Sequence, residues 1–250
     1  MTYVYGVIFF FLGATISSFC QLIGDRIPAK EKLSGRSHCD HCQRPLRIVD
    51  VLPLIGYLIN KGKCHFCNGK INLLYVLYEL IGGVLYLAAY LWFGFHIELI
   101  ISLIIITVFL VETISDSRYR IVIDSVWIIG FILLLSLRFY QGNFLPYVYS
   151  SAILFAALFL ISYLGKLVFK KEALGGGDVK LYIFIGFALT IWKGLISIFI
   201  ASFIALIFAL ARKKSMNTYI PLVPFIFAGV LIMYYFGDQI IDWYLSLFGV

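Results

Sequence analysis

The sequence predicts an all-α polytopic membrane protein, with about eight transmembrane helices and a small cytoplasmic four-cysteine loop domain. Three observations predict it. Apolar residues make up 62% of the chain and charged residues 13%, about half of the ~25% charged share of a soluble domain. The apolar residues fall in long runs near the roughly 20 residues that cross a bilayer. Four of the five cysteines form two C-x-x-C pairs inside the one long polar stretch.

The first run, "YVYGVIFFFLGATISSFCQLI", has no Lys or Arg ahead of it and exceeds a signal-peptide core, so residues 3–23 read as a first membrane span rather than a cleaved leader. Further spans are expected at 76–94, 97–115, 125–141, 146–164, 179–192, 195–211 and 218–236. The sixth of the eight is short. The final "GDQIIDWYLSLFGV" is too short to cross alone and reads as an interfacial segment or tail. Aromatic residues near the run ends, such as Tyr3, Tyr5, Trp92 and Trp127, suit an interfacial belt.

Basic loops stay in the cytoplasm. With residues 24–75 inside, the segments around 116–124, 165–178 and 212–217 face the same side, and 18 of the 20 Lys and Arg fall there. Arg138 and Lys193 are the exceptions. Both termini are then outside. This makes it a multi-pass protein whose basic loops face the cytoplasm, with lipid as its surroundings and no nucleic acid as a partner.

Residues 24–75 contain "SHCDHCQRPL" and "GKCHFCNGKI". Cys39, Cys42, Cys64 and Cys67 offer four thiolates at the spacing of a closed tetrahedral site, which predicts structural Zn2+. A metal substitutes here for the core that so small a loop cannot build. His38, His41 and His65 are expected beside the site rather than as ligands, since four sulfurs already close it. Cys20, alone in an apolar run, reads as core packing.

Ionisable residues at membrane depth are functional candidates by default. Those here are Glu79, Glu112, Asp116, Asp124 and Asp178. Asp116 ends the third span in "VETISDSRYRIVID", and Asp178 opens the sixth in "GGGDVKL". Both are expected at the cytoplasmic face, with the chain leaving and returning between them. Two carboxylates at one depth can share a proton and hydrolyse a peptide bond. The alternative is that each only caps a helix end, Asp178 being favoured near a helix N-terminus. Glu112 shares a helical face with Asp116. Glu79 is a candidate for holding a substrate amine. Asp124, Arg118 and Arg120 read as solvated loop charges.

These residues together resemble the bacterial type IV prepilin peptidases, bifunctional leader peptidases and N-methyltransferases. "GGGDVK" resembles their G-x-G-D motif, with Gly175 and Gly177 as motif glycines around Gly176, and Asp178 as one catalytic aspartate. "DSRYRIVID" resembles the stretch opening with the other, which makes that residue Asp116. Ile123 stands where the family usually has proline. "ISSFCQLIGDRIP" is similar to the family's opening, with Ser17 where glycine is usual. The two-knuckle loop resembles the family's cytoplasmic domain along its length, and "YELIGGVLY" its second span.

The resemblance implies an intramembrane aspartic endopeptidase. It would cleave the basic leader of prepilins or pseudopilins at the cytoplasmic face, then N-methylate the new terminus with S-adenosylmethionine. It divides the chain into a first helix (1–23), a methyltransferase-associated four-cysteine domain (24–75) and a peptidase core (76–250). Glu31, Asp40, Asp50, Glu79 and Glu172 are expected to attract the basic leader. No glycine-rich fingerprint for the methyl donor is present. The alternatives are a peptidase without methylase activity, a zinc-stabilised membrane assembly factor with no enzymatic role, or a transporter. A transporter would carry its acids near midspan.

Overall fold

A computed structural model of the chain describes residues 1–170, 174–211 and 220–247. Among them the secondary structure is all helical, α1 (Thr2–Arg26), α2 (Ile48–Val51), α3 (Ile55–Ile59), α4 (Leu73–Phe93), α5 (Ile97–Tyr119), α6 (Asp124–Tyr140), α7 (Leu145–Phe169), α8 (Gly176–Ala188), α9 (Ile191–Ala211) and α10 (Val223–Ser246). Six of these, α1, α4, α5, α7, α9 and α10, are long and apolar enough to cross a membrane. The other two expected spans are helices too, but α6 has 17 residues and α8 only 13. The expected tail after residue 236 is corrected: α10 runs on without a break to Ser246. Lys171, Glu172, Arg212, Lys213 and Lys214 lie outside the described residues, as do residues 218 and 219 of the eighth expected span.

The chain divides into two compact units, 1–114 and 115–250. In the first, α1 packs on α4 through small residues. A Cβ at Gly13 would sit 2.4 Å from the Gly82 carbonyl oxygen, and one at Gly82 would sit 2.5 Å from Ser17 Cβ. Close backbone approach of this kind drives helix association where lipid tails remove the hydrophobic incentive. Ser17 Oγ donates to the Tyr78 carbonyl at 2.6 Å and Gln21 Nε2 to the Tyr75 carbonyl at 3.1 Å. Cys20 is buried and its Sγ faces the Thr107 carbonyl, as core packing requires.

In the second unit the two short helices pair with each other. At one end Lys180 Nζ meets the Asp124 carboxylate at 3.0 Å. Midway, Phe131 and Phe187 meet edge to face. At the other end the buried Arg138 guanidinium donates to the carbonyls of Phe187 (3.3 Å) and Ala188 (3.5 Å), while Ser150 Oγ donates to that of Leu189 at 2.8 Å. The last carbonyls of a helix have no partner within it. Arg138 and Ser150 supply those partners, so α8 ends inside the unit without exposing orphan groups. Lys193, the other cation off the basic face, pairs with Asp238 at 2.8 Å.

Candidate active site

Asp116 sits at the end of α5, 8% exposed. Its Oδ2 accepts the Val223 N–H at 3.0 Å, and the Leu222 N–H adds a second donor. These are the first amides of α10, which begins with proline in its first turn and has no side-chain cap of its own. Asp116 thus caps a helix that starts 107 residues away in sequence. Asp178 is the third residue of α8, whose N-cap is Gly175. Its carboxylate takes the Gly175 N–H, the second half of a capping box with a glycine in place of the usual Ser or Thr. The two carboxylates lie close enough for the charge of Asp116 to act on that of Asp178. Each carboxylate therefore sits at a helix start, as the capping reading expects, with the charge of Asp116 acting on Asp178.

The glycine triplet divides by position. A Cβ on Gly175 would approach Asp178 Oδ2 to 2.9 Å, and one on Gly177 would approach Val122 Cβ to 2.8 Å. Among the described residues, a Cβ on Gly176 would meet nothing within 4 Å. The outer glycines let α8 start against the 120–123 turn while its carboxylate folds back. The middle one faces open space. That turn is fixed by Ser115 Oγ donating to the Ile121 carbonyl at 2.6 Å. Asp124 is not a bare solvated charge. It opens α6 and accepts from Trp127 Nε1 at 3.0 Å as well as from Lys180.

In the first unit the four cysteine sulfurs lie within 4.8 Å of one another. Cys39 Sγ and Cys67 Sγ are 3.8 Å apart, the edge of a tetrahedron with metal–sulfur bonds of about 2.3 Å. The sulfurs therefore fit a metal. Each pair sits in the same turn. Cys39 N–H bonds the Arg44 carbonyl and Gln43 N–H the Cys39 carbonyl, and Cys64 and Asn68 repeat both bonds 25 positions on. Gln43 and Asn68 share a left-handed φ, 58° and 55°. Contacts between the knuckles repeat likewise: His41 lies on Gly69, and its counterpart Phe66 lies under Arg44, the counterpart of Gly69. The knuckles are thus related by an approximate two-fold. His41 and Phe66 brace this arrangement, in keeping with histidines that are not ligands. The Cys67 and Phe66 amides hold the Cys64 thiol down at about 7, which favours the thiolate a metal needs.

Asp50, Glu79 and Asp40 each have hydrogen-bond partners in the first unit. Asp50 accepts from Arg47 N at 3.0 Å, Arg47 Nη2 at 2.9 Å and Asn60 Nδ2 at 2.8 Å. The hydrogen bonds from Arg47 hold its carboxyl well below the usual range. Asp50 is spent within its own loop, which removes the expected attraction for a basic leader. Glu79 Oε2 accepts the Leu54 N–H at 2.8 Å. Asp40 accepts from the Tyr75 hydroxyl at 3.4 Å, Glu31 is exposed, and Glu172 lies outside the described residues. Glu112, one turn before Asp116, is fully buried. Sequence reasoning treated Arg138 only as an exception to the basic side. A lone arginine inside an apolar run was the available signal.

Comparison with known proteins places both halves of the chain. The Bacterial Peptidase A24 N-terminal domain matches residues 11–93, and the Type IV leader peptidase family matches residues 102–210. A prepilin leader peptidase/N-methyltransferase of Legionella pneumophila is 31% identical over 222 residues, covering 84% of this chain and 76% of that protein. The chain belongs to the type IV prepilin leader peptidase family. The Bacillus subtilis member is 28% identical over 96% of this chain and 98% of its own, and the Vibrio cholerae member 29% over 94% and 98%. No solved structure matches the chain. The family match to the second half contains both Asp116 and Asp178, and the match to the first half contains all four clustered cysteines.

Proposed function

We propose that the chain is a prepilin leader peptidase and N-methyltransferase, with Asp116 and Asp178 as the catalytic pair. The observation that carries this reading is the pairing itself: two carboxylates in electrostatic reach, each held by main-chain N–H groups at a helix start. Neighbouring carboxylates share one proton. The ionised member takes a proton from water as its oxygen attacks the peptide carbonyl, and the protonated member hydrogen-bonds the carbonyl oxygen. Collapse of the tetrahedral adduct breaks the C–N bond and returns a proton to the leaving amine. The pair acts as a unit, so neither residue carries a fixed acid or base role.

The substrates are prepilins or pseudopilins, cut at the cytoplasmic face between the basic leader and the apolar helix. In this reading the six long helices and the shorter α6 and α8 all span, both termini lie outside, and residues 24–75 and 76–250 serve the methylase and the peptidase. At 1.5 Å per residue α6 is about 25 Å long and α8 about 20 Å, short of a ~30 Å hydrocarbon core. Polar ties at both ends of this pair support a locally thinned crossing. Cys39, Cys42, Cys64 and Cys67 would hold Zn2+, which organises the loop. S-adenosylmethionine, when bound, supplies the methyl group.

Co-expression of the chain with a prepilin-type substrate, comparing wild type with Asp116→Asn and Asp178→Asn, tests the pair. Both variants are expected to leave the leader uncut. Normal cleavage by either one refutes the dyad.

A further inference from the structure

The polar loop between α1 and α4 contains one apolar stretch, "IVDVLPLIGYLI", residues 48–59. It is folded inside out. Its single charged residue, Asp50, turns inward to Arg47 and Asn60, and its side chain is only 6% exposed. The aliphatic side chains turn outward: Ile48 is 80% exposed, Leu58 72% and Ile59 57%, with Val51, Leu52 and Ile55 also exposed. Such a surface is costly in water and natural in hydrocarbon.

The attachment of this stretch fixes what covers it. The turn between α2 and α3 is bound to Glu79 through the Leu54 N–H at 2.8 Å. Glu79 lies six residues into α4, about 9 Å along a helix long and apolar enough to cross a membrane. The turn therefore sits beside the entering part of a span. Backbone at that depth must have its donors satisfied internally, and most donors of this stretch around the turn are. Leu54 donates to Glu79, Pro53 has no N–H, and Ile55, Gly56 and Leu58 donate to the carbonyls of Pro53, Leu52 and Leu54. Arg47 borders one end of the stretch and Lys61 and Lys63 the other. Both lysines are exposed and suited to anionic headgroups.

We infer that residues 48–59 lie in the boundary between lipid headgroups and acyl chains, as an interfacial segment that Glu79 anchors to α4. Its partner is the bilayer, and the four-cysteine knuckles stand on the membrane surface through it. Glu79 is then a positioning residue for this loop. The inference does not depend on the peptidase reading.

The test uses the full chain in vesicles of phosphatidylethanolamine and phosphatidylglycerol, with a trace of phospholipid carrying a diazirine near the top of an acyl chain. After illumination, adducts are mapped by peptide mass spectrometry. Adducts are expected on residues 48–59 as well as on the long helices, and absent from the knuckle turns at 39–43 and 64–68. Labelled helices with an unlabelled 48–59 segment would overturn the inference. In L58E/I59E the adducts on this segment should fall to background while the four cysteines keep their metal, and undiminished labelling would count against it. A soluble leader–helix peptide that shields 48–59 from the lipid probe would also overturn it, by making the surface a protein dock.

Discussion

Asp50 and the Asp116–Asp178 pair are all hydrogen-bonded carboxylates, yet they are held in opposite ways. Asp50 is neutralised by the Arg47 guanidinium, with Asn60 completing the network. That fork suits a static brace: an acid paired with a permanent cation has no reason to exchange its proton. Asp116 and Asp178 accept from neutral main-chain N–H groups at the starts of α10 and α8, while the charge of Asp116 acts on Asp178 and that of Arg120 on Asp116. A helix start fixes the position of a carboxylate without cancelling its charge. The same residue type is thus held by a cation in one unit and by neutral amides in the other, and in the proposed reading only the second kind is reactive.

The contrast breaks most sharply at the carboxylates. Asp178→Asn keeps an oxygen for the Gly175 N–H but cannot share a proton. Leader cleavage should fall by about 10³-fold, within the range for losing a positioned acid or base, and Asp50→Asn should leave it unchanged in the same co-expression assay. Next come the glycines. Gly177→Ala forces a contact with Val122 and should cost about 10²-fold in cleavage, the scale of an ångström-sized misplacement. Gly176→Ala should be indistinguishable from wild type. Equal losses from both would mean that the triplet acts through flexibility rather than close approach.

In the other unit, Cys39→Ser should reduce bound metal from one equivalent to none by elemental analysis. Acidification should release metal from the wild type, because thiolates rather than thiols are ligands and protons compete with the metal for them. Retained metal in the serine variant would argue against a four-sulfur site. The smallest effect is expected at Asp50→Ala. Losing the Arg47 and Asn60 bonds should weaken the loop by about 2 kcal/mol, read as faster metal transfer to a chelator. Because the hydrogen bonds hold its carboxyl down, the stabilisation from Asp50 is complete above the ordinary carboxylate range and is lost only as pH falls well below it.

Much of this was legible because membrane helices announce themselves by length and apolarity. All eight expected spans coincide with helices, and the short sixth run was visible as short. The expectation that Asp116 and Asp178 share one depth came from parity of crossings and the distribution of Lys and Arg. The two brief helices α2 and α3 were hidden, since four or five residues within a polar loop carry no period to read. The partners of Glu79 and Asp50 were hidden as well. A carboxylate's role depends on which donor the fold brings to it, and Leu54 is 25 residues from Glu79. The stop at the end of α8 needed Arg138, 49 residues upstream of Phe187, and sequence spacing gave no hint of that reach.

The open side of Gly176 has a practical consequence. It is the one position in the glycine triplet where a Cβ would meet no described neighbour within 4 Å, and it stands two residues from Asp178. A small reporter introduced there, such as a cyano-bearing or fluorinated residue, would sit beside the carboxylate without pushing it. Its signal would record the arrival of substrate, the entry of water and the exit of the cut leader as separate events. The site thus carries its own mounting point for spectroscopy.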